Sequence, residues 1–359
     1  MEDKTQDGKL YRVLKYGIEN DVSDVFIIGG LPLTFKLNGI QHREGDSLGV
    51  DGVMDYVTEL YTLAKRDPGD INLLKDDDFS FALPNVGRFR ANVYRQRGSL
   101  AAVIRIIHFG LPDPSKLNIP ETVLRASAFK NGLVLVTGPA GNGKSTTLAC
   151  MIDRINKTTC GHIITMEDPI EFIHRHDKCI VSQREIPGDS PTYVKALRSA
   201  LRESPNTILL GEMRDRETIE VAMTAAETGE LLFSTLHTTG AANTIDRIVD
   251  VFPPNQQKQI RIQLSMILRA VISQELVPTV DGKLIPAFEI MYTNTAIKNL
   301  IREAKTYQID SAINAGTDEG MITMDNSLYS LYEKGIITKE TALTYCQHSD
   351  VMNKKLESL

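Results

Sequence analysis

The sequence predicts an α/β chain of two parts: a small α+β block, then a larger unit with a parallel sheet covered by helices on both faces. Three observations carry this. Leu133-Val-Leu-Val-Thr137 is a continuous apolar run of the kind that fills a fully buried strand, and it leads through a glycine-rich turn into an apolar-striped helix. From Glu121 onward, strand-like and helix-like segments alternate, the pattern of parallel sheets with helical crossovers. Between the two parts lies Gly110-Leu-Pro-Asp-Pro-Ser-Lys-Leu-Asn-Ile-Pro120, whose three prolines and one glycine exclude a helix or central strand and mark a linker.

In chain order, residues 1–109 mix short strands and helices. Asp24-Val-Phe-Ile-Ile28 and Leu33–Leu37 read as two strands, with an Asn38-Gly39 turn after the second. Gly52–Lys65 reads as a helix carrying Val53, Val57, Leu60 and Ala64 on one face. Phe79–Leu83, Arg88–Tyr94 and Leu100–Ile107 read as further strands. Beyond the linker at 110–120, residues 121–276 form the core of the second part. Within it, Gln256–Leu276 is predicted as one long helix with Ile260, Leu264, Ile267, Leu268, Val271 and Ile272 along a face. Residues 277–359 are expected to be mostly helical.

Composition narrows the function classes. A chain of 359 residues with 42% hydrophobic and 24% charged residues has material for two globular cores. The start, MEDKTQDGKLYRV, lacks an apolar secretory core, and the apolar runs are strand-sized, so a soluble or peripheral protein is expected. A net charge of −6 argues against a broad nucleic-acid-binding face. The four cysteines, Cys150, Cys160, Cys179 and Cys346, form no C-x-x-C pair, so neither a disulfide frame nor a zinc site is expected, and a cytosolic location is.

The chemistry concentrates at Gly138-Pro-Ala-Gly141-Asn142-Gly143-Lys144-Ser145, which has the form G-x-x-x-x-G-K-S. Glycines let the backbone wrap phosphate oxygens, and the following helix N-terminus, with Thr146 in its first turn, presents partial positive charge. Lys144 neutralises the outer phosphates and the Ser145 hydroxyl ligates magnesium. Three other strands end in reactive residues: His162-Ile-Ile-Thr-Met before Glu167, Asn206-Thr-Ile-Leu-Leu before Gly211-Glu212, and Leu231–Leu236 before His237. In doubly wound sheets such ends share the side on which ligands bind. Taken singly, an acidic residue after a strand is more often a helix cap and a lone histidine structural. Together, Glu167 and Glu212 can activate water and hold hydrated magnesium, and His237 can contact the γ-phosphate.

These segments resemble a known family. Ile-Thr-Met-Glu167-Asp-Pro-Ile-Glu171-Phe is similar to the aspartate box of the secretion ATPase superfamily. Gly211-Glu212-Met-Arg-Asp-Arg-Glu217-Thr resembles its Walker B motif, and Ser-Thr-Leu-His237-Thr its histidine box. Within the superfamily the chain resembles the type IV pilus retraction (twitching motility) ATPases through Asp246-Arg-Ile-Val-Asp-Val-Phe-Pro253, Ala296-Ile297-Lys298-Asn299-Leu300-Ile301-Arg302-Glu303 and Gly320-Met-Ile-Thr-Met-Asp-Asn-Ser-Leu. The resemblance implies a PAS-like α+β domain followed by a RecA-like P-loop ATPase domain with a helical C-terminal part. It implies ATP and Mg2+ as cofactors, Glu167 as catalytic glutamate and Glu212 supporting the metal through water. It also implies a cytoplasmic homohexamer that drives pilus disassembly against an inner-membrane platform protein, peripheral to that membrane and without nucleic acid. The segment 296–303 is then a coupling element, and its Ile297, Leu300 and Ile301 make one apolar helix face.

The sequence departs from the family in three places. Ala140-Gly141-Asn142 stands where Thr-Gly-Ser is usual, a change expected to be harmless because backbone amides bind the phosphates. Lys298 replaces an arginine and loses its planar fork. Phe26-Ile-Ile stands where a histidine is usual.

Five arginines gather on adjoining strands of the first block: Arg88, Arg90, Arg95, Arg97 and Arg105. A strand puts Arg88 and Arg90 on one face and Phe89 on the other, which suits a phosphate clamp better than a base-stacking platform. The family resemblance implies that Arg90 and Arg105 reach a γ-phosphate from the first domain; a solvated basic face is the plain alternative. Other functions compatible with the motifs are a pilus extension, secretion or conjugation ATPase, or a nucleotide-switch scaffold of low turnover. The extension and secretion relatives commonly carry a four-cysteine insertion that this chain lacks.

Overall fold

The computed structural model describes residues 8–357, except 38, 72, 85, 108 and 109. The Asn38 turn, the first seven residues and the end of the first block at Phe109 therefore lie outside the described residues. The chain divides into two compact units, Met1–Gly110 and Leu111–Leu359.

The first unit begins with α1 (Lys9–Glu19), followed by β1 (Asp24–Ile28), β2 (Leu33–Leu37), β3 (Ile40–Glu44), α2 (Val50–Ala64), β4 (Asp76–Leu83), β5 (Gly87–Gln96) and β6 (Ser99–Ile107). The strands form one antiparallel sheet in the order β3-β2-β1-β6-β5-β4. One face is apolar: Val25, Phe35, Phe81, Phe89, Ala91, Ile104 and Ile106 pack with Leu10 and Leu14 of α1 and Val53, Val57 and Leu60 of α2. The N-terminus of α1 is capped from α2, where Glu59 Oε1 accepts the amides of Leu10 and Tyr11 at 3.0 and 3.1 Å. Sequence predicts two strands in the first hairpin region, and the structure adds a third. Every residue of β3 (Ile-Gln-His-Arg-Glu) is exposed, so this edge strand has no apolar alternation by which to be recognised.

The second unit runs α3 (Glu121–Leu124), β7 (Gly132–Thr137), α4 (Lys144–Thr158), β8 (Gly161–Glu167), β9 (Cys179–Glu185), α5 (Tyr193–Ala200), β10 (Thr207–Leu210), α6 (Arg216–Thr228), β11 (Leu231–Leu236), α7 (Ala241–Asp250) and α8 (Pro254–Ile267). Then follow β12 (Leu268–Pro278), β13 (Leu284–Tyr292), α9 (Thr295–Arg302), α10 (Ile309–Ala315), α11 (Met324–Glu333), α12 (Lys339–Tyr345) and α13 (Ser349–Glu357). Seven strands form a sheet in the order β13-β12-β7-β11-β10-β8-β9. All neighbours are parallel except β12 and β13, so the predicted parallel sheet is a mixed one with an antiparallel edge. β7 and β11 are buried along their whole length, in keeping with their mainly apolar sequences.

The long helix predicted for Gln256–Leu276 is corrected. Helix α8 ends at Ile267, and Leu268 turns extended (φ −64°, ψ 127°) to begin β12, which pairs with β7 on one side and β13 on the other. Because β12 is buried on both faces, its apolar residues do not alternate, and their spacing continues that of α8 by coincidence. β-branched Val271 and Ile272 and the vacant pairing edge of β7 favour the strand. β13 likewise interrupts the stretch expected to be mostly helical. Ile119, from the proline-rich segment, is buried in the core of this second unit. Among the described residues no helix is long and apolar enough to cross a membrane.

Phe233 is fully buried in β11, whereas Ile180 of edge strand β9 is exposed. Phe233→Ala is expected to cost about 3–5 kcal/mol in urea unfolding, and Ile180→Ala less than about 0.5 kcal/mol. Similar losses in the two variants would contradict this burial.

Candidate active site

The turn from β7 into α4 is shaped by close approach to β12. Gly138 has φ +135°, and a Cβ there would lie 2.2 Å from the Gln274 carbonyl oxygen. Gly143, at φ +75°, would bring a Cβ to 3.0 Å from Gln274 Nε2. Only glycine meets both the backbone conformation and the space. Gln274 is 3% exposed, and its Oε1 accepts from Thr147 Oγ1 at 2.6 Å. One strand residue thus braces the entry to the turn and the first turns of α4. Asn142, expected to contribute only backbone, uses its side chain: Oδ1 accepts the Leu276 amide of β12 at 2.6 Å. Gln274 was missed by sequence reasoning because its role exists only once 268–278 is a strand.

Lys144 is buried, and its ammonium donates to the carbonyls of Gly138 and Pro139, each at 2.8 Å. Burial lowers its pKa, while the carboxylates of Glu212 and Glu171 act in the opposite direction. Ser145 and Thr146 occupy the first turn of α4, beside the positive end of the helix dipole.

The parallel register of β7, β11, β10 and β8 carries the other groups to the same edge. Glu167 is the last residue of β8, Glu212 follows β10 after Gly211, and His237 follows β11. A Cβ on Gly211 would sit 2.8 Å from the Tyr193 hydroxyl and 3.2 Å from the Met166 carbonyl oxygen, so this glycine lets the β10 turn lie against the end of β8. Thr235 fixes the turn from the other side, donating to the Gly211 carbonyl at 2.6 Å while its own carbonyl accepts the Met213 amide. Ala140, Gly141, Lys144, Ser145, Glu167, Glu212 and His237 all line one cleft of about 260 Å³, joined by Asp168, Pro169, Glu171, Tyr193, Gly211, Arg214 and Thr235. A larger cavity, about 580 Å³, shares Asp168, Tyr193, Glu212 and Arg214 and extends over Lys195 and Arg198.

Electrostatics separate the carboxylates. Burial pushes the Glu167 carboxyl up to about 7, against hydrogen bonds from Thr165 Oγ1 (2.7 Å) and Gln183 Nε2 (3.4 Å) that favour its charged form. Glu212 instead has basic side chains beside it: Arg214 Nε lies 2.5 Å from Oε1 and His237 Nε2 3.5 Å from Oε2. His237 is 52% exposed and lines the cleft. A carboxyl whose pKa burial raises to about 7 can take a proton from water, and a carboxyl and a serine hydroxyl lining one cleft offer hard oxygen donors for a hydrated divalent ion.

The cleft is built from the second unit alone. Arg90 and Arg105 lie on the first unit's sheet as direct cross-strand partners, on the face opposite buried Phe89. Arg90 forks onto Asp78 (Nε to Oδ1 3.0 Å, Nη2 to Oδ2 2.6 Å), and Arg105 Nε donates to Asp24 Oδ1 at 3.0 Å. The segment Ala296–Glu303 lies on α9, capped by Asn294, and lines neither cavity. Ile297 and Ile301 are fully buried, Leu300 is half-buried against the same core, and Asn299 and Arg302 are exposed.

Residues 78–344 match the family described as "Type II/IV secretion system protein". Among curated proteins, the "Type IV pilus retractation ATPase PilT" of Pseudomonas aeruginosa is 44% identical over 339 residues, covering 92% of this chain and 96% of that protein. The "Twitching motility protein" of Neisseria gonorrhoeae is 50% identical over 277 residues, covering 77% of this chain and 74% of that protein. Among solved structures, the one described as "Crystal Structure of the Pilus Retraction Motor PilT and Bound ADP" superposes with a TM-score of 0.87 at 44% identity, covering 98% of this chain and 99% of that one.

The Glu167 carboxyl is charged above about 7 and neutral below it, so any step that needs its charged form slows as pH falls through that value. Carbon-13 NMR of glutamate-labelled protein, assigned with Glu167→Gln, is expected to show one carboxyl with this midpoint. A Glu167 midpoint in the ordinary carboxylate range would show that burial is not controlling its charge.

Proposed function

This chain belongs to the Type II/IV secretion system protein family, and from that premise we propose that it is the ATP-hydrolysing motor that retracts type IV pili. The observation that carries the reading is the convergence of Lys144, Ser145, Glu167, Glu212 and His237 on one cleft, in a chain that is 44% identical to a pilus retraction ATPase over 96% of that protein's length. In finer terms, the first unit is taken as PAS-like and the second as a RecA-like ATPase domain with a helical C-terminal part. The working form is a homohexameric ring on the cytoplasmic side of the inner membrane, attached to the pilus platform protein.

The residues divide the work as follows. The amides from Gly138 to Ser145 and the start of α4 hold the phosphates, and Lys144 leaves its carbonyl partners to neutralise the outer ones. Ser145 and, through water, Glu212 would hold magnesium, for which their oxygen donors are suited, and the ion would supply neutralisation of phosphate charge there. Glu167 takes the proton from the attacking water as oxygen bonds to the γ-phosphorus and the bond to ADP breaks. His237, in contact with Glu212, senses the γ-phosphate. Arg90 and Arg105 reach the γ-phosphate of a neighbouring subunit, a contribution worth about 10³–10⁵ in rate where such arginines have been removed. Ala296–Glu303 transmits the cycle, and its two buried isoleucines and exposed Asn299 and Arg302 suit an element anchored on one side and free on the other.

Lys144→Ala is expected to abolish hydrolysis. Glu167→Gln should keep nucleotide binding while turnover falls by about 10²–10⁴; equal loss of binding in both would remove Glu167 from this role. Cells lacking the protein should carry excess surface pili, and Lys144→Ala should not restore retraction. Bald cells would mean extension.

A second expectation concerns the arginines. Arg105→Ala and Glu167→Gln, each nearly inactive, should recover part of the activity when mixed under conditions of proven subunit exchange. Activity that never exceeds the sum of the two would place Arg105 outside a shared site.

A further inference from the structure

Glu289 of β13 is fully shielded, at 0% exposure, and lines neither cavity. Leaving a carboxylate in a protein interior costs several kcal/mol unless hydrogen bonds compensate it. Here they come from three separate parts of the second unit. Glu289 Oε1 accepts the amide of Ala241, the first residue of α7, at 2.7 Å. Oε2 accepts from Gln347 Nε2, between α12 and α13, at 3.3 Å, and from the amide of Met324, the first residue of α11, at 3.4 Å. All three partners are donors, so an acceptor-only carboxylate suits them. The C-terminal partners are themselves joined, because Asp325 of α11 accepts the amides of Gln347 and His348.

The other end of this cluster leads to the active site. Ser273 faces Glu289 across the β12–β13 pair, and its hydroxyl accepts the Gly240 amide at 3.0 Å. On the far side of Ser273 lies Thr137, the last residue before the glycine-rich turn, whose buried hydroxyl has no hydrogen-bond partner among the described residues. Thr137, Ser273 and Glu289 thus form a row of fully buried polar side chains across three strands. Gly240 and Ala241, the two amides held by this row, close the short loop that starts at His237. Gly240 sits at φ +84°, and a Cβ there would lie 3.2 Å from Gln347 Nε2. The end of the His237 loop is therefore enclosed between Glu289, Ser273 and the C-terminal region.

We propose that Glu289 is a positioning residue for hydrolysis: by holding the His237 loop on one oxygen and the helices α11–α13 on the other, it fixes His237 at the cleft and makes turnover respond to the placement of those helices. The inference rests on the reading of His237 as a γ-phosphate contact.

Glu289→Gln preserves size but sets an NH2 against a donor at one of the two ends. Hydrolysis by the full-length protein is expected to lose about tenfold in kcat, with KM for ATP within about twofold. Gln347→Ala, outside the cleft, should lower kcat about threefold at unchanged KM. Thermal unfolding of each variant, followed alongside, establishes that the protein is folded at the assay temperature. Because Glu289 acts through His237, the double variant His237→Ala/Glu289→Gln should be no slower than His237→Ala alone. A lower unfolding temperature with unchanged kcat, or losses that simply multiply in the double variant, would overturn the proposal. If His237→Ala hydrolyses ATP normally, the His237 reading fails and takes this inference with it. If His237→Ala is slow while Glu289→Gln matches the parent protein, only this inference fails.

Discussion

The clasp between the phosphate-binding turn and β12 is the constraint on which the active site depends. A glycine-rich turn that leaves a strand has many accessible conformations, and binding phosphate requires one of them. Here that one is selected from behind: Gly138 and Gly143 lie against Gln274, Thr147 donates to its side chain, and Asn142 accepts the Leu276 amide. The turn is ordered by protein contacts, so less of that ordering has to accompany ligand binding. The same strand is clamped between β7 and β13, and any displacement of β12 would be felt at the turn and at Ser273 together.

Around that fixed point, charge and burial assign distinct work to neighbouring carboxylates. Glu167 and Glu212 end nearby strands and line one cleft, yet one is held near neutrality by desolvation and the other faces a guanidinium and an imidazole. Two side chains of the same type thereby acquire different surroundings, the difference on which the proposed division of work between them rests. Lys144 is also bound to carbonyls, contacts that phosphate oxygens can replace without leaving the ammonium unpaired at any stage.

What the sequence reveals follows from how each signal arises. Strands β7, β10 and β11 are buried along their length and, with β8, read as mainly apolar runs, and the side chains at their ends are placed by the rule that parallel strands end at one edge. Glu167, Glu212 and His237 could be brought together on that ground. β12 is equally buried, but it follows α8 without a turn residue, and its apolar residues prolong a helical spacing. The error there concealed Gln274, the side-chain role of Asn142 and the Ser273–Glu289 pair at once. β3 was concealed for the opposite reason, since an exposed edge strand of Ile-Gln-His-Arg-Glu has no burial pattern to read. Tyr193 enters the cleft by tertiary contact, which no local pattern encodes.

The first unit raises a different question, because its arginines are already paired. Arg90 and Arg105 stand directly opposite each other, an arrangement that repels unless each has its own counter-charge. Asp78 and Asp24 supply those charges and orient the guanidiniums. Such pairing does not withdraw the arginines from chemistry. The Arg105 side chain is 69% exposed while its partner Asp24 is only 7% exposed, so solvent reaches the pair from the guanidinium side. A triphosphate, carrying several charges and planar oxygen pairs that match the guanidinium fork, competes readily with one carboxylate. Under the phosphate role proposed for these arginines, Asp24 and Asp78 act as guides that hold the two cations in defined positions on the sheet.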